Sequence, residues 1–270
     1  MNPLREVRIN RAAIQSPDEY PFHVPALRAL EALEFTSPVT FLVGENGSGK
    51  STFVEALAWA SERVAAGSEA VDLDETLNHV RPLREIMRLI WGRRTGRGFF
   101  LRAEDFFGFV NRTKLELAEL ETEITRVRTE HADLPEVELS RRCAPYTKSI
   151  MELRARYGAD PDARSHGEQF LNFFQQRLAP GGFYILDEPE APLSPMRQLS
   201  LLAILGDAVR EGRSQFVICT HSPILMAAPG AQILSFDSSP IAPIPYDETE
   251  HVSLTRDFLN RPEAFLRHLQ

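Results

Sequence analysis

The sequence predicts an α/β fold in which a mostly parallel β-sheet is flanked by helices and carries a short helical insertion. Strand and helix patterns alternate in the second half of the chain, which is typical of a parallel sheet wrapped by helices. In the first half, a β-branched apolar run ends at a Gly-rich turn and is followed by a helical pattern. The 270 residues, 43% of them apolar, suffice for one large domain. We therefore expect a single domain over residues 1–270, with the insertion at residues 105–160.

The first half of the chain contributes two strands and two helices to this prediction. The apolar run Val39–Val43 predicts a strand, and Lys50–Val64 predicts the helix after the Gly-rich turn. Apolar residues at mixed three- and four-residue spacing predict a second helix over Thr76–Ile90. A basic turn at Gly92–Gly98 then leads into a predicted strand at Phe99–Arg102.

The insertion is predicted from the most periodic segment of the sequence. Arg112–His131 combines a narrow apolar seam with charged flanks, which predicts a surface helix too short for a long coiled-coil arm. Asp133–Pro135 interrupts this pattern, and Tyr146–Tyr157 predicts a second helix. The seam consists of Val110, Leu117, Leu120, Ile124 and Val127.

The second half supplies the alternating pattern of the parallel sheet. A predicted helix at Glu168–Leu178 precedes a strand at Phe183–Leu186. A helix at Pro195–Arg210 then precedes a strand at Gln215–Cys219. The remaining predictions are strands at Ile233–Phe236 and Ile241–Pro245 and helices near Thr255–Leu259 and Pro262–Leu269.

Charge, cysteine usage and hydropathy narrow the class of protein. The net charge of −8 argues against a protein that coats nucleic acid by bulk charge. Two cysteines, Cys143 and Cys219, cannot form a disulfide framework and suit a reducing compartment. The longest apolar runs fall short of the roughly 20 residues of a membrane helix, and Met1–Arg11 lacks the apolar core of a secretory signal. We expect a cytoplasmic protein with no direct membrane insertion.

The strongest motif lies between the first predicted strand and helix, and it fits the phosphate-binding pattern G-x-x-x-x-G-K-[ST]. Glycines let successive backbone N–H groups curl around a phosphate, and the helix N-terminus adds its dipole. Lys50 is predicted to bridge the β- and γ-phosphates, and Ser51 to hold Mg²⁺. The alternative is a Gly-rich turn that matches by chance. The predicted nucleotide-binding residues are Gly44, Glu45, Asn46, Gly47, Ser48, Gly49, Lys50, Ser51 and Thr52.

A second motif is the pair of acids at the end of the strand Phe183–Leu186. The C-terminal ends of parallel strands face the ligand crevice in sheets of this class. Asp187 is therefore expected to reach Mg²⁺, and Glu188 to orient and deprotonate a water that attacks the γ-phosphate. The alternative is that both acids cap the next helix, because Pro189 and Pro192 follow.

Three further motifs make the sequence resemble the ABC-type ATPases, which are P-loop NTPases. Ser165-His166-Gly167-Glu168 resembles their signature motif, and Leu193-Ser194 resembles their D-loop. His221 follows the strand Gln215–Cys219 and resembles their switch histidine. Together with the phosphate loop and Asp187-Glu188, these motifs occur in the order of that family: Walker A, signature, Walker B, D-loop, histidine.

The sequence departs from the family pattern at several positions. Arg164 and His166 stand where the signature has Leu and its first Gly, and Glu190 stands where transporter subunits commonly have Thr or Ser. No glutamine follows the strand Phe99–Arg102, and Glu104 is the nearest candidate for the Q-loop role. The segments LDEPE, GENGSGKST and THSP are more similar to RecF-like proteins, chromosome-maintenance heads and bacterial AAA-family ATPases of the overcoming-lysogenization-defect kind.

The resemblance implies a Mg²⁺-dependent ATPase that works as an ATP-dependent, head-to-tail homodimer. It assigns catalysis to Lys50, Glu188 and His221, the metal to Ser51 and Asp187, and ATP as cofactor. Ser165 and Gly167 would complete the γ-phosphate site of the partner protomer. The simpler alternative for Ser165 is an N-cap, with Glu168 as the capping-box acid. Hydrolysis would drive a conformational change in an unidentified protein or nucleic-acid partner, in DNA maintenance or phage defence.

Two other functions compete with this interpretation. An ATP-binding subunit of a membrane transporter is disfavoured by Glu190, the missing glutamine and the helical insertion. A nucleotide-gated DNA-binding clamp is disfavoured by the acidic net charge. The arginines of the turn Gly92–Gly98 are expected to be solvated, with phosphate or nucleic-acid contact as the alternative. Histidines outside the motifs are also expected to be solvated: His23, His79, His131, His251 and His268.

Overall fold

The computed structural model describes residues 2–14, 16–63, 75–157 and 166–267. The chain divides into two compact units. The first, here the core unit, comprises Met1–Ala103 and Leu178–Gln270, and the second, here the helical unit, comprises Glu104–Arg177. The predicted insertion, residues 105–160, lies within the helical unit.

The core unit contains two β-sheets. Among the described residues, six strands form one sheet and three form the other. In chain order the strands are β1 (Leu4–Ile9), β2 (Ala32–Glu34), β3 (Val39–Val43), β4 (Met87–Trp91), β5 (Phe100–Arg102), β6 (Phe183–Asp187), β7 (Gln215–Cys219), β8 (Gln232–Ser235) and β9 (Ala242–Pro243).

The larger sheet has the order β5-β6-β7-β3-β8-β9. The first five strands in this order are parallel to their neighbours, and β9 pairs antiparallel with β8. Every residue of β3, β6 and β7 is buried. Continuous burial requires both faces of these strands to be covered, which is why they appear in the sequence as unbroken apolar runs. The predicted α/β class with a mostly parallel sheet is confirmed.

The smaller sheet has the order β2-β1-β4 and is antiparallel. It corrects the prediction of one helix over Thr76–Ile90. That segment forms a 3₁₀ helix at Glu75–Val80, a short α-helix, and then strand β4. The backbone of β4 pairs with β1, for example Leu89 opposite Val7, so tertiary pairing decides the conformation of an ambiguous apolar segment.

Helices α2, α6 and α7 lie close to their predicted positions, whereas α4 and α5 begin well before the predicted starts at Arg112 and Tyr146, and α1 and α8 have no predicted counterpart. Helix α2 ends before Val64 because Glu62 has a φ of 56°, a left-handed conformation that stops an α-helix. In chain order the helices are α1 (Pro25–Ala29), α2 (Lys50–Ala60), α3 (Arg81–Ile86), α4 (Ala103–Glu130), α5 (Glu136–Tyr157), α6 (His166–Arg177), α7 (Pro195–Arg210), α8 (Pro223–Met226), α9 (Glu250–Asn260) and α10 (Pro262–Leu266).

The helical unit is built from α4, α5 and α6. Arg154 of α5 forms an ion pair with Glu121 of α4 at 2.8 Å, so charged side chains join the two long helices. The ring of Phe106 lies 5.1 Å from that of Phe170, centroid to centroid, and packs α4 against α6. Leu117 of the predicted seam is buried, whereas Leu120, Ile124 and Val127 are half-buried. The side chain of Val110 lies outside the described part of the chain.

Within the described part of the chain, no helix combines the length and the apolar character needed to span a bilayer.

Candidate nucleotide-binding site

The phosphate loop connects the end of β3 to the start of α2. Gly44, Gly47 and Gly49 have φ values of 145°, 83° and 98°, a region that L-residues with side chains rarely adopt. A Cβ at Gly49 would also lie 3.1 Å from side-chain atoms of Leu27 and Val24. The turn therefore needs glycine for its backbone conformation, as the motif predicts.

Lys50 lies inside this loop, although it is a charged residue. It is only 5% exposed. Its Nζ donates hydrogen bonds to the carbonyl oxygens of Gly44 at 2.6 Å and Glu45 at 2.9 Å. These bonds hold a cation at the centre of the loop, next to the N-terminus of α2, where an anionic phosphate group is favoured.

Asp187 ends β6 opposite the start of α2. The Ser51 hydroxyl donates a hydrogen bond to Asp187 Oδ1 at 3.4 Å, and Asp187 is 8% exposed. Burial, together with the nearby carboxylates of Glu188 and Glu55, raises the pKa of Asp187 to about 7. A buried carboxyl beside a hydroxyl is an oxygen donor set that fits Mg²⁺, which usually takes one or two protein ligands and completes its shell with water and phosphate. In the described part of the chain no group of three or more His, Cys, Asp or Glu side chains is placed to hold a metal ion.

Glu188 and His221 converge beside Asp187. Glu188 has a φ of 49°, a strained conformation for a side-chain-bearing residue, and its N–H donates to the carbonyl oxygen of Cys219 at 3.0 Å. His221 follows β7, and its Nε2 lies 3.6 Å from Glu188 Oε1. This Nε2 is buried and makes no hydrogen bond within the described residues. The carboxylate of Glu188, a proton acceptor, therefore lies next to the unbonded Nε2 of His221.

The alternative role of the two acids, as caps of the next helix, does not fit the structure. Helix α7 begins at Pro195, and its N-cap residue is Ser194. Asp187 and Glu188 lie several residues earlier, at the end of the strand.

Two residues that contact His221 were missed by sequence reasoning. Glu190 Oε1 accepts a hydrogen bond from the backbone N–H of His221 at 2.7 Å, and burial raises the pKa of this carboxyl. His251 Nε2 lies 2.7 Å from His221 Nδ1, so the expectation of a solvated His251 is wrong. Both contacts join positions about 30 residues apart, and no local pattern indicates them.

A polar cluster packs on α2 around the buried side chains of Glu55 and Thr52. His79 is exposed, as expected, and its Nε2 lies 2.9 Å from Glu55 Oε2. Arg102 contacts the other oxygen of Glu55 at 3.3 Å. The Tyr20 hydroxyl is hydrogen-bonded to Thr52 Oγ1 at 2.6 Å. The hydroxyl of Thr52, the last residue of the predicted binding set, thus has a protein partner.

The arginines of the turn after β4 have structural partners. Arg93 donates to the carbonyl oxygen of Gly181 at 3.4 Å, and Arg97 donates to that of Pro180 at 3.0 Å. These bonds link residues 92–98 to the segment before β6, while Arg93, Arg94 and Arg97 remain exposed, as predicted.

The remaining predicted residues stay predictions. Ser165 lies outside the described residues, as does the side chain of Glu104. Gly167 is buried in the first turn of α6, in the helical unit. Asn46 is exposed, and Gly47 has no atom within 4 Å of where a Cβ would stand, so the middle of the loop is open.

Comparisons with known proteins agree with this description. Residues 23–130 match the family model described as an AAA domain. Among curated proteins no relative matches the chain. An SMC head domain from Thermotoga maritima is 15% identical with a TM-score of 0.44, over 91% of this chain and 99% of that one. An ATP-binding cassette of an ABC transporter in its ADP conformation is 15% identical with a TM-score of 0.46, over 96% and 98%.

A third solved structure, a dimeric bacterial ABC transporter cassette, is 17% identical with a TM-score of 0.39, over 80% of this chain and 91% of that one. None of the three TM-scores reaches 0.5. The fold is therefore assigned from the strand order and from the geometry of the phosphate loop. The AAA-domain match includes the whole phosphate loop. The chain has the mostly parallel α/β fold and the phosphate loop predicted for a P-loop NTPase, and it is similar in fold to ABC cassettes and SMC heads.

Proposed function

We propose that the protein binds Mg²⁺ and ATP at the phosphate loop and hydrolyses ATP to ADP and phosphate. One observation carries this proposal: β3, β6 and β7 end at the same edge of the sheet. There they bring the buried cation of Lys50 together with the carboxyl groups of Asp187 and Glu188 and the Nε2 of His221. A Gly-rich turn that matched the motif by chance would not be expected to lie next to these carboxyl groups and this imidazole.

Each residue has a distinct chemical role in this proposal. Lys50 binds phosphate oxygens. Ser51 and Asp187 would hold Mg²⁺, which would neutralise charge on the phosphates. Glu188 accepts a proton from the water that attacks the γ-phosphorus. The bond from this phosphorus to the β,γ-bridging oxygen breaks, and ADP leaves with the electron pair. His221 donates a hydrogen bond from Nε2 to the γ-phosphate oxygens as their charge develops.

The first test is phosphate release from ATP by the parent protein and by Lys50→Ala. The variant should lose nucleotide binding or turnover, because no second cation is bonded inside the loop among the described residues. Lys148→Ala is the matched control, since Lys148 is an exposed residue of α5. The proposal fails if Lys50→Ala hydrolyses ATP at the parent rate, or if the parent protein shows no hydrolysis at all.

We also propose that ATP is bound between two copies of the chain arranged head to tail. The proposal is supported by the resemblance of residues 165–168 to the signature motif and by the position of Gly167 in the first turn of α6. Glu188→Gln should bind ATP without hydrolysing it and accumulate as a dimer in analytical ultracentrifugation. Adding Ser165→Arg should abolish that dimer, because a bulky side chain would obstruct the site of the partner protomer.

We propose that a further macromolecule, either a protein or a nucleic acid, responds when the ATP-bound dimer opens and closes. Hydrolysis measured with and without DNA separates these classes. Salt-sensitive retention of DNA that requires ATP would favour the DNA-clamp function. Co-purification with membranes would favour the transporter subunit.

A further inference from the structure

The pair formed by His221 and His251 has no counterpart among the motifs of the sequence. The nitrogen atoms Nδ1 of His221 and Nε2 of His251 lie 2.7 Å apart, and the ring centroids are 4.7 Å apart with an interplanar angle of 57°. At this distance one proton must lie between the two nitrogens, because two bare lone pairs or two N–H groups would repel each other.

The position of that proton fixes the state of the other ring nitrogen of His221. If Nδ1 of neutral His221 accepts the hydrogen bond, the ring carries its own proton on Nε2. If Nδ1 donates, Nε2 becomes a bare lone pair. Since Nε2 lies 3.6 Å from the Glu188 carboxylate, an N–H there is attracted and a lone pair is repelled.

Burial and nearby positive charge favour the neutral form of the His221 ring. Burial lowers the pKa of His221, and the positive charge of Lys50 and the presence of His251 lower it further. The carboxylates of Glu188 and Glu45 oppose this shift without cancelling it. Glu190 binds the backbone N–H of His221 rather than its ring. A neutral imidazole carries its single proton on either Nδ1 or Nε2, so the surroundings of His221 decide which nitrogen is protonated.

The position of His251 next to His221 is fixed by the packing of α9. It lies in the first turn of α9, next to Val252, which is 3% exposed. Just before α9, the Tyr246 hydroxyl donates to the carbonyl oxygen of Pro223 at 3.1 Å. Pro223 follows His221 by two residues, so this bond ties the start of α9 to the segment that carries His221.

We propose that His251 is a positioning residue whose Nε2–H donates a hydrogen bond to Nδ1 of His221 and thereby keeps the ring proton of His221 on Nε2. That nitrogen can then donate to a γ-phosphate oxygen. This last role rests on the proposed ATPase function, whereas the tautomer itself is a property of the protein without nucleotide.

The direct test is the tautomer of His221, measured by long-range ¹H–¹⁵N NMR correlations of the imidazole in nucleotide-free protein. We expect the Nε2–H form of His221 in the parent and a mixture of both tautomers in His251→Ala. His251→Gln, whose amide can still donate a hydrogen bond, should restore the Nε2–H form. His131→Ala is the control, because His131 is an exposed histidine of the helical unit, and it should change nothing. An Nδ1–H form of His221 in the parent would overturn the proposal.

Steady-state ATP hydrolysis provides the second readout. His251→Ala should lower kcat by about tenfold to a hundredfold, as loss of a residue that orients a functional histidine typically does, with little change in KM. His251→Gln should recover most of the lost rate. An unchanged kcat in His251→Ala would overturn the positioning role. If the parent shows the Nε2–H tautomer but no hydrolysis, the proposed ATPase function fails while the tautomer assignment stands, so the two failures are distinguishable.

Discussion

Replacing Asp187 by Asn should change how the stability of the protein depends on pH. In the absence of nucleotide and metal, Asp187 is a buried carboxyl whose pKa is raised to about 7, chiefly because burial penalises the charged form. Its hydrogen bonds with Ser51 and Cys219 oppose the shift only in part. Asparagine has a similar shape and can keep a hydrogen bond, but it has no proton to lose.

The sign and the size of the effect follow from linkage. The pKa of Asp187 is higher in the folded protein, about 7, than its ordinary value of 3.8. The stabilising contribution of the protonated form is therefore complete below the unfolded pKa and is lost as the pH rises through the folded one. Each pKa unit corresponds to about 1.4 kcal/mol, so the parent should lose roughly 3 kcal/mol between pH 5 and pH 8 through this group. Asp187→Asn should not lose this stability.

Urea denaturation at pH 5 and pH 8 with a chelator present would measure the difference. The stability of Asp187→Asn relative to the parent should rise by roughly 3 kcal/mol between the two pH values. Asp257→Asn provides the same chemical change at an exposed position of α9 and should show no such rise. If the two variants behave alike, Asp187 does not ionise in a buried environment, and the argument that it fits a cation loses its basis.

Two further predictions concern the loop and the helical unit. Gly49→Ala should destabilise the protein by about 1–3 kcal/mol, because the φ of 98° strains an alanine and its Cβ would crowd Leu27. Gly96→Ala, with no atom near its Cβ, should change the free energy of unfolding little; equal effects in thermal denaturation would contradict the loop geometry. In α4, Leu117→Ala should cost about 2–5 kcal/mol because Leu117 is 7% exposed. Leu115→Ala, at a position that is 64% exposed, should stay within about 0.5 kcal/mol; the packing of α4 is wrong if both cost the same.

Elements that are buried on both faces could be predicted from the sequence with accurate ends. Strands β3 and β7 have the predicted bounds, and β6 is one residue longer than predicted. Helix α7 also has the predicted bounds, although it buries only Leu201 and Leu205. In these strands a continuous apolar run is followed directly by motif residues, so composition and motif agree on where each strand ends. The central sheet and the motif residues at its edge could therefore be predicted from the sequence alone.

The smaller sheet could not be predicted, because its strands have only weak local signals. Strand β1 has an irregular register between Leu4 and Glu6, which disturbs the alternation of buried and exposed residues. The apolar residues of β4 also fit a helical spacing, and only pairing with β1 makes the segment a strand. The contacts of His221 with His251 and Glu190 could not be predicted either, because they join residues that are distant in the sequence.

The most direct test of the proposed ATPase is to separate ATP binding from ATP hydrolysis in Glu188→Gln. The carboxyl of Glu188 lies 3.6 Å from Nε2 of His221, at the end of β6, and glutamine keeps its shape but cannot accept the proton of water. We predict that the variant binds ATP at least as tightly as the parent and releases phosphate at least about a hundredfold more slowly. Glu211→Gln, at an exposed position after α7, should match the parent in both measurements. Phosphate release by Glu188→Gln at the parent rate would contradict the assignment of Glu188 as the base and, with it, the proposed site of hydrolysis.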